Sequence, residues 1–320
     1  MFQNYLNHML TILNAFMDEK YQPFVDAFRP LAIGILTMAF MIGGILIITN
    51  KAEKPKELMF VGLMAALISG VVFSYSLYKE WMIDPIIGVS FRLQGYFLAG
   101  VLGTPTQVFN QMDTSFFVLF HTLEQLGDNA GFFSADKWNI ALVTLGLRIV
   151  YGVLYMVFSV LIIFSVFALY VFFVIGGIPL FFAILPQTRF IFWAWLRAVA
   201  NYALIPIFTS IVMGISLYFV NAAAADLAGM NLEDNGIYNY TVATAYFVGC
   251  LAIFFHLKAP EFSAALTGGQ PSGVGGFFTT VAGLGAATLA GAKIIGQKGP
   301  QALDKSLGAA RTVYSKMRGL

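Results

Sequence analysis

The longest uncharged stretch of the chain runs from Ile149 to Thr188 and contains no Asp, Glu, Lys or Arg. A helix needs only about 20 consecutive apolar residues to cross the core of a bilayer, so this stretch accommodates one span and a shorter second segment. Hydrophobic residues make up 59% of the chain and charged residues 11%, against about 45–50% and about 25% in soluble domains. The sequence therefore predicts an all-α integral membrane protein.

Glycine and proline interrupt this stretch near its end. Gly176 and Gly177 are adjacent and Pro179 follows. Glycine loosens a helix, whereas proline lacks a backbone donor and clashes with the preceding turn. We therefore expect a full span that ends at about Phe173, followed by a broken or re-entrant segment over 176–186.

Charged residues return directly after this segment, at Arg189 and Arg197, with Trp193 and Trp195 between them. This composition is typical of a membrane–water boundary on the cytoplasmic side. We expect Trp195, together with Arg189 and Arg197, to fix the depth and tilt of the central segment.

Hydropathy predicts about five transmembrane helices along the chain. Lys258 and Pro260 are expected to stop the last one, with His256 marking its end. The predicted spans are 31–50, 58–78, 149–173, 198–225 and 241–257.

Charge and hydropathy also divide the chain into segments. Residues 1–29 carry an apolar stripe at helical spacing, which suits a helix that lies in the interface or packs on a partner, with a frayed tail as the alternative. The predicted segments are an amphipathic N-terminal segment (1–29), a first transmembrane hairpin (30–78), a periplasmic helical region (79–148), a transmembrane core (149–258) and a Gly-rich basic cytoplasmic tail (259–320).

The periplasmic region is predicted to contain a strongly amphipathic helix. Thr104-Pro105-Thr106-Gln107 has the residue types of a helix start, and the helix is predicted to close at 127–129. Between these ends apolar residues recur every three or four positions, at Val108, Met112, Phe116, Leu119, Leu123 and Leu126. This face either packs within the chain or meets other subunits; we expect it to present Phe116, Leu119 and Leu123 to a neighbour.

A second helix is predicted to run without a break from Asp136 through Arg148 into the third span. It would contain about 40 residues and, at 1.5 Å per residue, would be about 60 Å long. A helix of this length projects well beyond the bilayer.

The distribution of basic residues predicts the orientation. With the N-terminus periplasmic, the C-terminus cytoplasmic and five spans, 12 of the 18 Lys and Arg residues face the cytoplasm. The opposite orientation reverses this count, so the positive-inside tendency favours the first arrangement.

The residues that catalysis would require are not grouped in the sequence. His8, His121 and His256 are isolated, and Gln297 stands where a phosphate-binding loop would carry lysine. The predicted spans also contain no acid or base in their interiors, which argues against an ion-coupled carrier. We therefore expect no enzyme activity and no cofactor, and the alternative function is a passive pore or permease subunit built from 176–186.

A motif of roughly thirty residues follows the break at Gly176 and Gly177. It consists of a proline followed by large apolar residues, then Thr-Arg, then Trp-Leu, then Tyr, at Pro179, Thr188, Arg189, Trp195, Leu196 and Tyr202. This order resembles the polytopic inner-membrane subunit of bacterial type IV secretion systems, the TrbL-like family.

This resemblance implies a non-catalytic platform or channel component of a type IV secretion, or conjugation, system. The implied role is support of DNA or protein transfer and of pilus biogenesis in the bacterial inner membrane, with energy from separate ATPases. The implied partners are other inner-membrane and periplasmic subunits, pilin and minor pilin, secretion ATPases, further copies of the chain, membrane lipid and, transiently, substrate DNA.

Overall fold

The computed structural model describes residues 2–49, 55–99, 105–129, 135–185, 188–230 and 237–268. They belong to one compact unit, Met1–Ser272, and a second unit, Gly273–Leu320, lies outside the described residues. Helices and their connections make up the described part of the chain, with no β-strand in it. The predicted all-α fold is confirmed.

Nine α-helices and one π-helical turn, Lys79–Ile83, form the described part of the chain. The helices are α1 (Phe2–Ile48), α2 (Pro55–Val72), α3 (Tyr75–Tyr78), α4 (Asp84–Ala99), α5 (Pro105–Asn129), α6 (Ala135–Ile175), α7 (Gly177–Phe182), α8 (Arg189–Ala228) and α9 (Tyr240–Thr267). Four of them, α1, α6, α8 and α9, are long and apolar enough to cross a membrane, and α2 with α3 and α4 makes a fifth candidate span that is bent by 96°. The prediction of about five spans agrees with these four to five candidates.

Helix α1 joins the predicted N-terminal segment and the first span in one helix that contains Pro23 and Pro30. Part of the apolar stripe of its first half is buried against the rest of the chain, at Leu6, Leu13, Met17, Tyr21 and Val25, while Tyr5 and Phe16 are exposed. Its second half pairs antiparallel with α2. The N-terminal stripe is therefore a packing surface within the chain, and the frayed-tail alternative is wrong.

The second predicted span, 58–78, is too long. Helix α2 ends at Val72, and Ser74 has extended backbone angles before α3 begins. The chain bends by 96° between α2 and the helices that follow. Hydropathy continues across this bend, which is why the sequence pattern does not reveal it.

Helices α4 and α5 lie along α8 and α6. The hydroxyl of Ser90 in α4 donates to the carbonyl of Ala203 in α8 at 2.8 Å. Further along the chain, the Phe116 ring of α5 packs against the Tyr151 ring of α6, with 5.2 Å between centroids. The region predicted as periplasmic therefore packs along the apolar helices of the transmembrane core.

The predicted long helix is confirmed, because α6 contains 41 residues. Reciprocal hydrogen bonds join it to α9: the Tyr151 hydroxyl donates to the Ala245 carbonyl and the Tyr246 hydroxyl to the Val143 carbonyl, both at 2.8 Å. A Cβ at Gly146 would stand 2.1 Å from Tyr246 Oη. Glycine thus lets the two backbones approach closely enough for the tyrosines to reach them.

The last predicted span, 241–257, is too short. Helix α9 passes through Lys258 and Pro260, continues to Thr267 and ends at Gly268, whose φ is +64°. Proline removes only one helical donor, while the Ser263 hydroxyl ties this end of α9 to the Asn201 carbonyl of α8 at 2.5 Å. The rest of the predicted tail, 269–320, lies outside the described residues.

Candidate functional site at the junction of two helix breaks

The break between α2 and α3 and the break between α6 and α7 lie next to each other. The Tyr78 hydroxyl, at the end of α3, donates to the carbonyl of Phe173 in the last turn of α6 at 3.0 Å. Tyr78 is fully buried. The Tyr78 side chain, which follows the first break, is therefore hydrogen-bonded to the backbone just before the second break.

Trp195 of α8 bonds to the same turn of α6. The Gly176 amide donates to the Phe173 carbonyl at 3.1 Å, which tightens the last turn of α6. In a regular α-helix this amide would donate to the Phe172 carbonyl, so the Phe172 carbonyl is left without a helical donor. The indole Nε1 of Trp195 supplies a replacement at 3.0 Å. An unsatisfied carbonyl in apolar surroundings costs several kcal/mol, so Trp195 stabilises this helix end.

Helix α1 satisfies the carbonyls at the other break. The Tyr21 hydroxyl donates to the Val72 carbonyl at 3.1 Å, and the Gln22 amide donates to the Phe73 carbonyl at 3.3 Å. The Tyr21 ring also stacks on the Tyr78 ring, with 4.6 Å between centroids and 9° between planes. We call Tyr21, Tyr78, Gly176, Gly177 and Trp195 the break junction.

The two glycines of the break junction supply space for these rings. A Cβ at Gly176 would lie 2.1 Å from Tyr78 Oη and 2.9 Å from Trp195 Cζ2, and a Cβ at Gly177 would lie 3.2 Å from Tyr21 Oη. Gly176 itself has helical backbone angles, with φ −63° and ψ −23°. Small size, and not backbone freedom, is therefore what this position requires.

Thr188 and Arg189 close the segment that follows the break. Pro179 is buried in α7. The Thr188 hydroxyl donates to the Phe182 carbonyl at 2.9 Å, and Arg189 Nε donates to the Ala183 carbonyl at 3.1 Å. These bonds satisfy carbonyls that α7 leaves free at its end. Residues 186–187 lie outside the described part of the chain.

Arg197 and Tyr202 lie further along α8. Arg197 is exposed and its Nε donates to the carbonyl of Trp193 at 3.3 Å. The Tyr202 ring packs against the Phe172 ring at 5.5 Å. Tyr202 therefore adjoins the break junction, whereas the hydrogen bond of Arg197 stays within α8.

The expected boundary role of Trp195 needs correction. Trp195 is only 4% exposed and lies between helices, while Trp193 is 54% exposed. The exposed indole is therefore the one suited to an interfacial belt. The hydrogen bond of Trp195 is therefore with α6 and not with the exposed surface.

The sequence analysis missed Tyr21 and Tyr78 as members of the junction. Tyr21 continues the apolar stripe of α1, four residues after Met17, and Tyr78 stands at the end of the predicted second span. These positions give a weak signal, because their partners are backbone carbonyls at breaks more than fifty residues away.

The amphipathic face of α5 packs within the chain. Its residues are buried against α6 and α8, which corrects the expectation that they contact a neighbour. The side chain of Val108 lies outside the described part, and the buried residues are Met112, Phe116, Leu119 and Leu123.

His256 lies inside a candidate span and not at its end. It is fully buried, with Nδ1 2.7 Å from the Ala252 carbonyl and its ring against the Phe158 ring. The expectation that the span interiors contain no acid or base is therefore wrong, because α9 continues ten residues beyond the predicted end of the span at Leu257.

Together these features define a polytopic α-helical membrane protein whose broken helices are held by bonds from side chains to backbone carbonyls. The chain matches the family model described as TrbL/VirB6 plasmid conjugal transfer protein over residues 31–259. It belongs to this family and is a component of a conjugal transfer, or type IV secretion, system. No curated protein matches the chain. The matched residues include the whole break junction except Tyr21.

Proposed function

We propose that the protein is a non-catalytic platform or channel component of the inner membrane, which supports substrate transfer and pilus biogenesis in a conjugation system. The observation that carries this proposal is the family match over residues 31–259. Members of this family are structural components of transfer systems, and the family is not a known enzyme family. Transfer energy then comes from separate ATPases.

The break junction supports a platform role because it ties together distant parts of the chain. Tyr21, Tyr78 and Trp195 connect helices α1, α3 and α8 to carbonyls at the ends of α2 and α6. A platform has to hold its spans at fixed positions while substrate and other subunits move against it. The junction supplies this rigidity in the part of the chain where two helices are broken.

The packing of the 176–186 segment weighs against a small-solute pore there. Gly177, Pro179, Leu180, Phe181 and Ile184 are buried against neighbouring helices. A bulky residue at Gly176 would disturb this packing even if no solute passed. Loss of flux after such a substitution would therefore not distinguish a pore from a packed junction.

The proposed orientation has the N-terminus in the periplasm and the C-terminus in the cytoplasm, as the basic residues indicate. The proposed partners are inner-membrane and periplasmic subunits, pilin and minor pilin, secretion ATPases and further copies of this chain. Substrate DNA is a transient contact.

Mild-detergent extraction of the native complex tests the proposal. The chain carries a tag, is expressed from its own operon, and mass spectrometry identifies what co-purifies. We expect secretion ATPases, pilin and periplasmic scaffold proteins. Recovery of the protein alone, or only with itself, would contradict the platform role.

A transfer assay with matched tryptophan variants links this role to the junction. Trp195→Ala removes a buried ring and its donor, whereas Trp193→Ala removes an exposed ring. We expect the first to reduce transfer frequency in a complemented deletion strain much more than the second. Equal, near-normal transfer by both variants would refute the importance of the junction.

A further inference from the structure

A charged groove lies between the end of α5 and the beginning of α6, far from the break junction. It encloses about 510 Å³, within the roughly 300–1,000 Å³ of small-molecule sites. Its floor is apolar and its sides carry both signs of charge. Glu124 and Asp128 come from α5, and Lys137 and Arg148 come from α6.

The charges form two pairs across the groove. Arg148 pairs with Glu124, and Lys137 Nζ lies 4.0 Å from Asp128 Oδ1. The Arg148 guanidinium also lies over the Phe120 ring, 5.4 Å from its centroid. The four side chains are between 35% and 83% exposed, and exposed ion pairs contribute little to stability. A ligand with its own charges can therefore bind between or over them at little cost.

The groove opens onto the apolar surface of α6. Arg148 directly precedes the uncharged stretch that begins at Ile149. Leu145 lines the groove and is 57% exposed. It shares one helix face with the exposed side chains of Trp138 and Ile149, which lie seven residues before it and four after. This surface has the composition that faces lipid, with tryptophan at its end as in interfacial belts.

We propose that this groove binds the zwitterionic headgroup of a membrane phospholipid of the phosphatidylethanolamine type. The phosphate would accept hydrogen bonds from Arg148 and Lys137, and the ammonium group would donate to Glu124 and Asp128. Two cations and two anions give the groove no net charge, so it favours a zwitterion over an anionic lipid or nucleic acid. The acyl chains would lie against Leu145 and the apolar face beyond it. The site fixes the register of α5 and α6 against the bilayer surface.

Lipid retention by the purified full-length chain tests this site. The protein in detergent is mixed with dioleoyl phosphatidylethanolamine or dioleoyl phosphatidylglycerol, which have the same acyl chains, and native mass spectrometry counts the retained lipid. We expect at least threefold more retained phosphatidylethanolamine. Equal retention, or preference for the anionic lipid, would overturn the proposal without any variant.

A charge variant shows whether the preference arises in the groove. Glu124→Gln with Asp128→Asn leaves two cations, so we expect the preference to shift to phosphatidylglycerol by at least threefold. Glu261→Gln, which removes a comparable exposed pair with Lys258 outside the groove, should leave the preference unchanged. Unfolding of each variant in lipid-free detergent checks its fold. An unchanged preference in the double variant would overturn the proposal.

Soluble glycerophosphoethanolamine distinguishes a lipid from a free zwitterion. Its phosphodiester and ammonium groups carry the same charges as the lipid headgroup, but it has no acyl chains to cover the face at Leu145. We expect an excess of it to raise the unfolding midpoint much less than the lipid does. An equal increase would overturn the assignment to a membrane phospholipid.

Discussion

Replacing Gly176 by alanine tests whether the break junction depends on close packing. The helical backbone angles of this position suit alanine, which gains about 0.5–1 kcal/mol from a less flexible unfolded chain. Its methyl group would stand 2.1 Å from Tyr78 Oη and 2.9 Å from Trp195 Cζ2. Both rings are buried and both donate hydrogen bonds to α6, so neither ring can move without loss.

The expected cost follows from these distances. Tyr78 Oη must move by roughly 1 Å to restore van der Waals contact, which breaks its hydrogen bond to the Phe173 carbonyl. A buried bond lost in this way costs about 1–3 kcal/mol, and overpacking costs about 1–3 kcal/mol more. After the backbone gain, Gly176→Ala should destabilise the protein by roughly 1–5 kcal/mol.

Thermal unfolding in detergent measures this cost. For a domain of about this size each kcal/mol lowers the midpoint by about 2–4 °C, so we expect a decrease of roughly 2–20 °C. Gly152→Ala is the matched control, because Gly152 also lies in a long apolar helix and a Cβ there would meet nothing within 4 Å. This control should be neutral or slightly stabilising.

Tyr78→Phe provides the second half of the test. It removes the atom that lies 2.1 Å from the new methyl group, and the next nearest atoms are Trp195 Cζ2 at 2.9 Å and the Phe172 carbonyl at 3.2 Å. We therefore expect Gly176→Ala to cost less in the Tyr78→Phe protein than in the wild type. The same midpoint for Gly176→Ala and Gly152→Ala, or the same penalty in both backgrounds, would refute the reasoning.

Three further predictions concern bonds from side chains to backbone carbonyls. Trp195→Phe should lower the free energy of unfolding by about 1–3 kcal/mol through an unsatisfied α6 carbonyl, and Trp193→Phe by less than about 0.5 kcal/mol; similar midpoints would contradict this. Gly146→Ala should lower the free energy of unfolding by about 1–3 kcal/mol through overpacking. The loss should be smaller in the Tyr246→Phe protein, and a double-mutant cycle of unfolding in detergent measures the difference. Ser263→Ala should speed proteolysis at the end of α9, and unchanged cleavage would show that its bond to α8 does not hold that end.

Local sequence determines the long helices well. Helix α5 begins at Pro105 and ends at Asn129, close to the predicted limits, because cap residues and a regular apolar repeat act within a few residues of each other. The continuous helix α6 and the break at Gly176 also follow from local composition. Orientation and the identity of partner subunits stay predictions.

The sequence by itself thus determined an all-α membrane protein, its family and the place of one helix break. Only the tertiary structure decided that α9 passes through Pro260, that α2 ends at Val72, and that Trp195 is buried while Trp193 is exposed. Helix and hydropathy signals depend on neighbours three or four residues away, whereas these outcomes depend on contacts between distant segments. Tertiary packing determines which donor reaches a carbonyl at a helix break. At the end of α6 the donor to the Phe173 carbonyl is Tyr78, which lies 95 residues earlier in the chain, so no local pattern predicts it.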